Sequence, residues 1–145
     1  MPPSAVFLLL AALAPAAADP VPPTPPGEAS VAAAVGVVRD YYAAIDRRDY
    51  RAAHALWPGG PTIAQLRRGY AQTAWTRVRP LPPFTTDAGA GSVYAEIKVE
   101  VDAAGRNGGR QHFTGSYVLR RVNDVDGSTR AQRHWHIASG TLHAR

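Results

Sequence analysis

Three groups of residues in this sequence are of types that do chemistry. His134-x-His136 sets two imidazoles on one face of a strand, a spacing that metal sites use. Asp46 and Asp49 bracket two arginines, with His54 close behind, and could move protons. Trp57, Tyr70, Phe113, Tyr117, Trp135 and Ser139 recur at positions that could line a ligand cavity. The nucleophiles are less promising. Ser92, Ser116, Ser128 and Ser139 lack the strand-to-helix Gly-x-Ser-x-Gly elbow that exposes a catalytic hydroxyl. Gly105-Arg-Asn-Gly-Gly109 has no helix after it to receive a phosphate and reads as a hairpin turn.

Each chemical group has a structural alternative. A third metal ligand would have to share the face of His134 and His136. Pairing the strands by their apolar faces puts Val118 beside His136 and Arg120 beside His134. A cation beside a metal is unfavourable, so no metal site is expected. His112 should face Glu100 as an ordinary cross-strand contact. His54 stands alone on a helix, and His143 lies near the C-terminal end of the sequence. Asp46 and Asp49 are placed where turns and helix caps use carboxylates. No catalytic residue, cofactor or metal is therefore assigned.

Composition narrows the classes further. The 145 residues are 46% hydrophobic, enough for one domain with its own core. The absence of cysteine excludes a disulfide framework, a thiolate zinc site, an iron–sulfur cluster and a cysteine nucleophile. The net charge of +5 rests on arginine, Lys98 being the lone lysine. Those arginines fall in scattered pairs (Arg47 and Arg48, Arg67 and Arg68, Arg120 and Arg121) and not on one stripe, so no nucleic-acid partner is expected.

The elements that must position these residues follow from periodicity. Residues 1–18 read as a secretory signal, with an apolar run from Val6 to Leu13 and an Ala16-Ala-Ala18 exit, although no Lys or Arg precedes the run. The run is too short to span a bilayer, which needs roughly 20 residues, so no membrane anchor remains after cleavage. A periplasmic or secreted bacterial protein is the expectation. Residues 19–27 carry five prolines and form a tether, leaving 28–145 as the folded domain. Ser30 caps a first helix whose stripe is Val31, Val35, Val38, Tyr42 and Ile45. Asp49 caps a second helix, with Tyr50, Ala53, Leu56 and Trp57 on its apolar face. Thr62 and Gln65 form the capping box of a third, with Ile63, Leu66 and Tyr70 inward. After Trp75 the period becomes two. A proline-broken edge strand between Trp75 and Asp87 precedes a strand with Val93, Ala95, Ile97, Val99 and Val101 inward. Phe113, Gly115, Tyr117 and Leu119 mark the next strand. A polar loop from Asn123 to Ala131 leads to the last, with Trp135, Ile137 and Ser139 inward. The expected class is α+β: three N-terminal helices on a curved antiparallel sheet of about four strands, a cone-shaped, cystatin-like roll.

The run Tyr41-Tyr-Ala-Ala-Ile-Asp-Arg-Arg-Asp-Tyr-Arg-Ala-Ala-His-Ala-Leu-Trp57, together with the closing Trp135-His-Ile137, resembles nuclear transport factor 2-like domains. That group includes SnoaL-like polyketide cyclases and ketosteroid isomerases, and the resemblance is greatest to exported proteobacterial members. It implies a cone with a pocket between the helices and the concave sheet face. It also exposes a departure. Isomerase-like members carry a general-base aspartate just after the second helix, where this chain has Pro58-Gly-Gly-Pro61. The expected function is thus a non-catalytic exported domain whose aromatic-lined cavity binds a small apolar ligand. The alternatives are an isomerase, dehydratase or cyclase using Asp46, Asp49 or His54, and a module that dimerises through the outer sheet face with Tyr94, His134 and His136.

Overall fold

A computed structural model describes residues 30–123 and 126–145. The signal-like segment 1–18 and the tether 19–27 lie outside the described residues. Helix α1 (Val31–Asp46) begins where the Ser30 hydroxyl accepts the Ala33 amide at 3.2 Å. Asp49 caps α2 (Tyr50–Leu56) by accepting the Ala52 amide at 3.1 Å. The reciprocal Thr62–Gln65 capping box opens α3 (Ile63–Gly69). Four antiparallel strands follow in sequential order: β1 (Thr73–Gly89), β2 (Ser92–Gly105), β3 (Arg110–Val122) and β4 (His136–Ala144). The α+β architecture is the expected one, with α1 laid against β1, β2 and β4.

The core lies between α1 and the concave sheet face. Val38, Ala44 and Ile45 of α1 meet Ile97, Val99, Leu119 and Ile137 of the sheet, each at most 1% exposed. The apolar face of α1 is wider than a single stripe. Tyr41 and Tyr42 are both 2% exposed, because a helix resting on a curved sheet buries two adjacent rows.

Four features depart from the sequence reading. The edge strand β1 runs on through its prolines, and Pro82, Pro83 and Phe84 stand against the single residue Ile97 in a bulge between Leu81 and Thr85. Between β3 and β4 a short helix, α4 (Arg130–Arg133), forms on a Thr129–Gln132 capping box, so His134 caps a helix instead of sitting in a strand. The β2–β3 turn closes with Gly105 donating to the Gly109 carbonyl at 2.8 Å and Gly108 in the left-handed region. That closure sets His112 opposite Asp102, not Glu100, and their side chains bond at 2.5 Å. Finally, Ala138 is bulged between the pairs Leu119–Ile137 and Val118–Ser139. Because side chains alternate at period two, one extra residue inverts every face after it. Ser139 is turned outward beside Val118 and exposed, and Gly140 takes the inward position beside Tyr117. His136 pairs with Arg120, not Val118.

The turn between α1 and α2 fastens the two layers. The Asp46 Oδ1 accepts both the amide and the hydroxyl of the buried Thr76 on β1, at 2.7 and 2.8 Å. Arg48 adopts the left-handed conformation at φ 63° and reaches the α3–β1 connection. There it donates to the carbonyl of Tyr70 at 2.9 Å, to the carbonyl of Thr73, and to the Tyr50 hydroxyl at 3.3 Å.

Trp135 remains inward at 5% exposure, just before the bulge. Trp135→Ala should therefore destabilise the domain by about 3–5 kcal/mol, as deletion of a buried aromatic does. His134→Ala, an exposed change, should cost under about 0.5 kcal/mol. Urea unfolding of both variants checks the pair, and equal midpoints would refute this placement of the two side chains.

Candidate functional site

A cavity of about 700 Å³ opens between the three helices and the sheet. Tyr41 and Tyr42 enter it from α1, Trp57 from the end of α2, Leu66 and Tyr70 from α3. Thr76, Val101, Phe113 and Tyr117 form the sheet side, where Gly140 and Leu142 complete β4. Two glycines make the room. A Cβ on Gly140 would stand 2.5 Å from the Tyr117 ring and 3.1 Å from Trp57, so the two aromatics rest on bare backbone. Gly60 does the same at the shared ring bond of Trp57, where a Cβ would lie 2.4 Å from the indole. Its amide donates to the Trp57 carbonyl at 3.1 Å and closes the Pro58-Gly-Gly-Pro61 turn around the ring.

Four aromatics form one interlocked cluster. Tyr41 stands edge-on to Tyr42 at 5.4 Å between ring centres and to Trp57 at 5.8 Å. Trp57 meets Tyr117 at 5.8 Å, nearly perpendicular, and Tyr42 meets Tyr117 at 6.1 Å. Such edge-to-face contacts add about 0.5–1.5 kcal/mol per pair beyond area burial and hold the rings in fixed planes. The Tyr42 and Tyr117 hydroxyls share a hydrogen bond of 2.5 Å. One proton serves that bond and the other hydroxyl hydrogen is left over, while the hydroxyls of Tyr41 and Tyr70 bond to no described residue.

Burial raises the pKa of Tyr41, Tyr42, Tyr70 and Tyr117 above the usual phenol value, because a phenolate here would lose its water. The neighbouring phenols add to the rise at Tyr41, Tyr42 and Tyr70, whereas at Tyr117 the bond to Tyr42 partly opposes it. All four therefore stay protonated, and with one proton spent in the Tyr42–Tyr117 bond three O–H donors are left for the cavity. Among the described lining residues there is no Asp, Glu, His, Lys or Arg; the remaining polar side chains are threonines, the Trp57 indole and the amides of Gln65 and Gln111. The Gln65 side chain is already committed to the Thr62 amide at 2.9 Å.

Of the residues expected to line a cavity, Trp57, Tyr70, Phe113 and Tyr117 do so. Trp135 instead belongs to the core, its indole N–H without an acceptor among the described residues, and Ser139 faces away. Tyr41, Tyr42 and Gly140 were not read as cavity residues. The paired tyrosines of α1 carried a signal, since Ala34 and Tyr41 widen the first stripe on the side of Val38 and Ile45. Gly140 carried none, because its facing depends on the bulge. The carboxylates and imidazole that an enzyme might use are occupied elsewhere. Asp46 stands behind Thr76, Asp49 caps α2, and the His54 Nδ1 contacts the Pro61 carbonyl at 2.9 Å. Among the described residues no three His, Asp or Glu side chains gather into a metal-binding group.

Neither a protein-family model nor a curated protein matches the chain. Solved structures do. A nuclear transport factor 2-like superfamily protein from Salmonella enterica serovar Typhimurium matches with a TM-score of 0.52 at 15% identity, over 79% of this chain and 92% of its own. A protein from Kribbella flavida matches at 0.54 and 14%, over 79% and 89%. A proposed dehydratase of the NTF2-like family from Streptomyces avermitilis matches at 0.50 and 16%, over 77% and 93%. At such identities the likeness establishes the fold alone: this chain has the nuclear transport factor 2-like fold.

Two outcomes follow. Gly140→Ala should force the Tyr117 and Trp57 rings apart at a cost of about 1–3 kcal/mol, the range for overpacking, measurable by thermal or urea unfolding. The raised tyrosine pKa values make stability fall in alkali. Below the unfolded phenol pKa of about 10 both states hold their protons and nothing changes; above it the unfolded chain ionises first, and stability declines with rising pH. Absorbance at 295 nm, with the Phe variant of each tyrosine subtracted in turn, should show Tyr41, Tyr42 and Tyr117 ionising only as the domain unfolds.

Proposed function

We propose that the domain binds a small, uncharged, largely apolar ligand carrying an oxygen acceptor, and that it does so without catalysis. The observation that carries this reading is the chemistry of the cavity wall: aromatic surface, neutral phenol donors, and no titrating acid or base among the described lining residues. A cavity of about 700 Å³ is within the range of small-molecule sites, roughly 300–1,000 Å³. The Tyr42–Tyr117 pair supplies a donor whose strength is raised by the bond it already accepts. A charged ligand would lose its hydration without gaining a counter-ion. Proton abstraction next to a carbonyl would lack the general base that contributes a factor of about 100 to 10,000.

A second reading, an enzyme of dehydratase or isomerase kind, draws on the Streptomyces structure of the same fold. It requires Asp46, Asp49 or His54 to leave its present partner and act on the cavity. The signal-like N-terminus further supports export to the periplasm or beyond, with a mature chain starting near Asp19.

The binding test uses two probes of matched shape, acetylnaphthalene and ethylnaphthalene, titrated by quenching of tryptophan fluorescence. Tyr117→Phe should weaken the ketone about tenfold, the value of one buried hydrogen bond, and leave the hydrocarbon unchanged. Equal loss for both probes, or none, would overturn the donor assignment. Purified domain should show no turnover of ketosteroid-type substrates. Turnover abolished by Asp46→Asn in a folded protein would establish the enzyme reading instead. N-terminal sequencing of protein from its native host checks export, which an intact Met1 would refute.

A further inference from the structure

On the opposite face of the sheet lies a second groove of about 560 Å³ with a different chemistry. Trp75 on β1 leans across the small Ala104 of β2 toward Arg110 of β3, in one cross-strand row. The Arg110 guanidinium sits 5.3 Å from the centre of the indole, and that of Arg77, two residues along β1, sits 4.8 Å from it. Arg145 completes the wall, its amide held by the His112 carbonyl at 2.9 Å. Three arginine side chains thus share the groove with one acidic side chain among the described residues, Asp102. That carboxylate bonds the His112 imidazole at 2.5 Å, and its charge also acts on Arg110 and Arg79 without using the Arg110 fork. Arg77 and Arg110 donate no hydrogen bond and form no ion pair with a described residue; by contrast, neighbouring Arg79 is paired with Glu100.

Two like charges held against one ring repel each other, and their fork-shaped donors are unused. Stacking on the indole fixes the planes of both forks and so lowers the side-chain entropy that anion binding would cost. An oxyanion entering between them would relieve the repulsion and accept bidentate, charge-assisted bonds. We propose that this groove is a phosphate-binding site, with Arg77 and Arg110 as the ligating forks and Trp75 as the platform that orients them. The site is independent of the ligand cavity, with which it shares only Gln111. The phosphate group could be that of a soluble phosphorylated molecule or the headgroup of an anionic lipid, and both present the same oxygens.

The test follows the Trp75 indole N–H by two-dimensional NMR, its resonance assigned with Trp75→Phe. Inorganic phosphate is titrated at constant ionic strength against chloride, which removes general screening. In a second arm, vesicles of phosphatidylglycerol are compared with vesicles of phosphatidylcholine by co-sedimentation. A saturable Trp75 shift, weakened about tenfold by Arg77→Gln or Arg110→Gln and unchanged by Arg51→Gln, supports the site with a soluble source. Binding to phosphatidylglycerol alone, with the same dependence on the two arginines, supports it with a lipid source. No saturation in either arm, or equal binding by all variants, overturns it. Thermal unfolding identifies the variants that remain folded, and Arg110→Lys, which keeps the charge but loses the fork, gives a milder substitution with the same expected weakening.

Discussion

The Asp46-Arg-Arg-Asp49 turn is the constraint on which the rest of this domain depends. It must end one helix, start another and hold both against β1, which has no neighbouring strand on its outer edge among the described residues. Asp46 does the last of these by gathering two donors of Thr76 onto one carboxylate oxygen, and Asp49 does the second by capping α2. Between them Arg48 spends a left-handed backbone conformation to bring its guanidinium onto the carbonyls that end α3 and begin β1. Tyr70 and Thr73, whose carbonyls are so held, both line the cavity, so this turn anchors part of its wall. The charged residues that look most like catalytic groups in the sequence are thereby consumed in architecture.

The cavity itself is a consequence of what is missing at two backbone positions. Glycines at 60 and 140 let Trp57 and Tyr117 lie directly on the chain, and the edge-to-face contacts among four aromatics keep the rings from collapsing into the space. Rigid walls with neutral donors favour recognition by shape and a single oriented hydrogen bond. Among the described lining residues there is no charged side chain.

The two faces of the sheet have divided the polar chemistry between them. The concave face carries phenols that burial keeps neutral, whereas the convex face near the β2–β3 turn carries guanidinium groups stacked on an indole in contact with water. Alternation of side chains along β1 produces this division within a few residues: Thr76 turns to the cavity while Trp75 and Arg77 turn to the groove.

Much of this was legible without coordinates. The caps at Ser30, Asp49 and Thr62 are local, as are the helical stripes and the period-two strands, and local rules placed them correctly because each is satisfied within one turn or one strand pair. Four cavity residues were legible for the same reason. What tertiary structure decided was non-local. The Ala138 bulge inverts the face of everything after it, exchanging Ser139 for Gly140 in the cavity, and nothing in the alternation of β4 alone announces an extra residue. The closing pair of the β2–β3 turn moved His112 from Glu100 to Asp102 by setting the strand register. The use of Asp46 was likewise invisible, because its partner Thr76 is 30 residues away and the two meet only when the helical layer lies down on the edge strand. The sequence alone determined which residues are apolar and where elements begin. Packing determined which polar groups remain free, since only contact between layers spends the others.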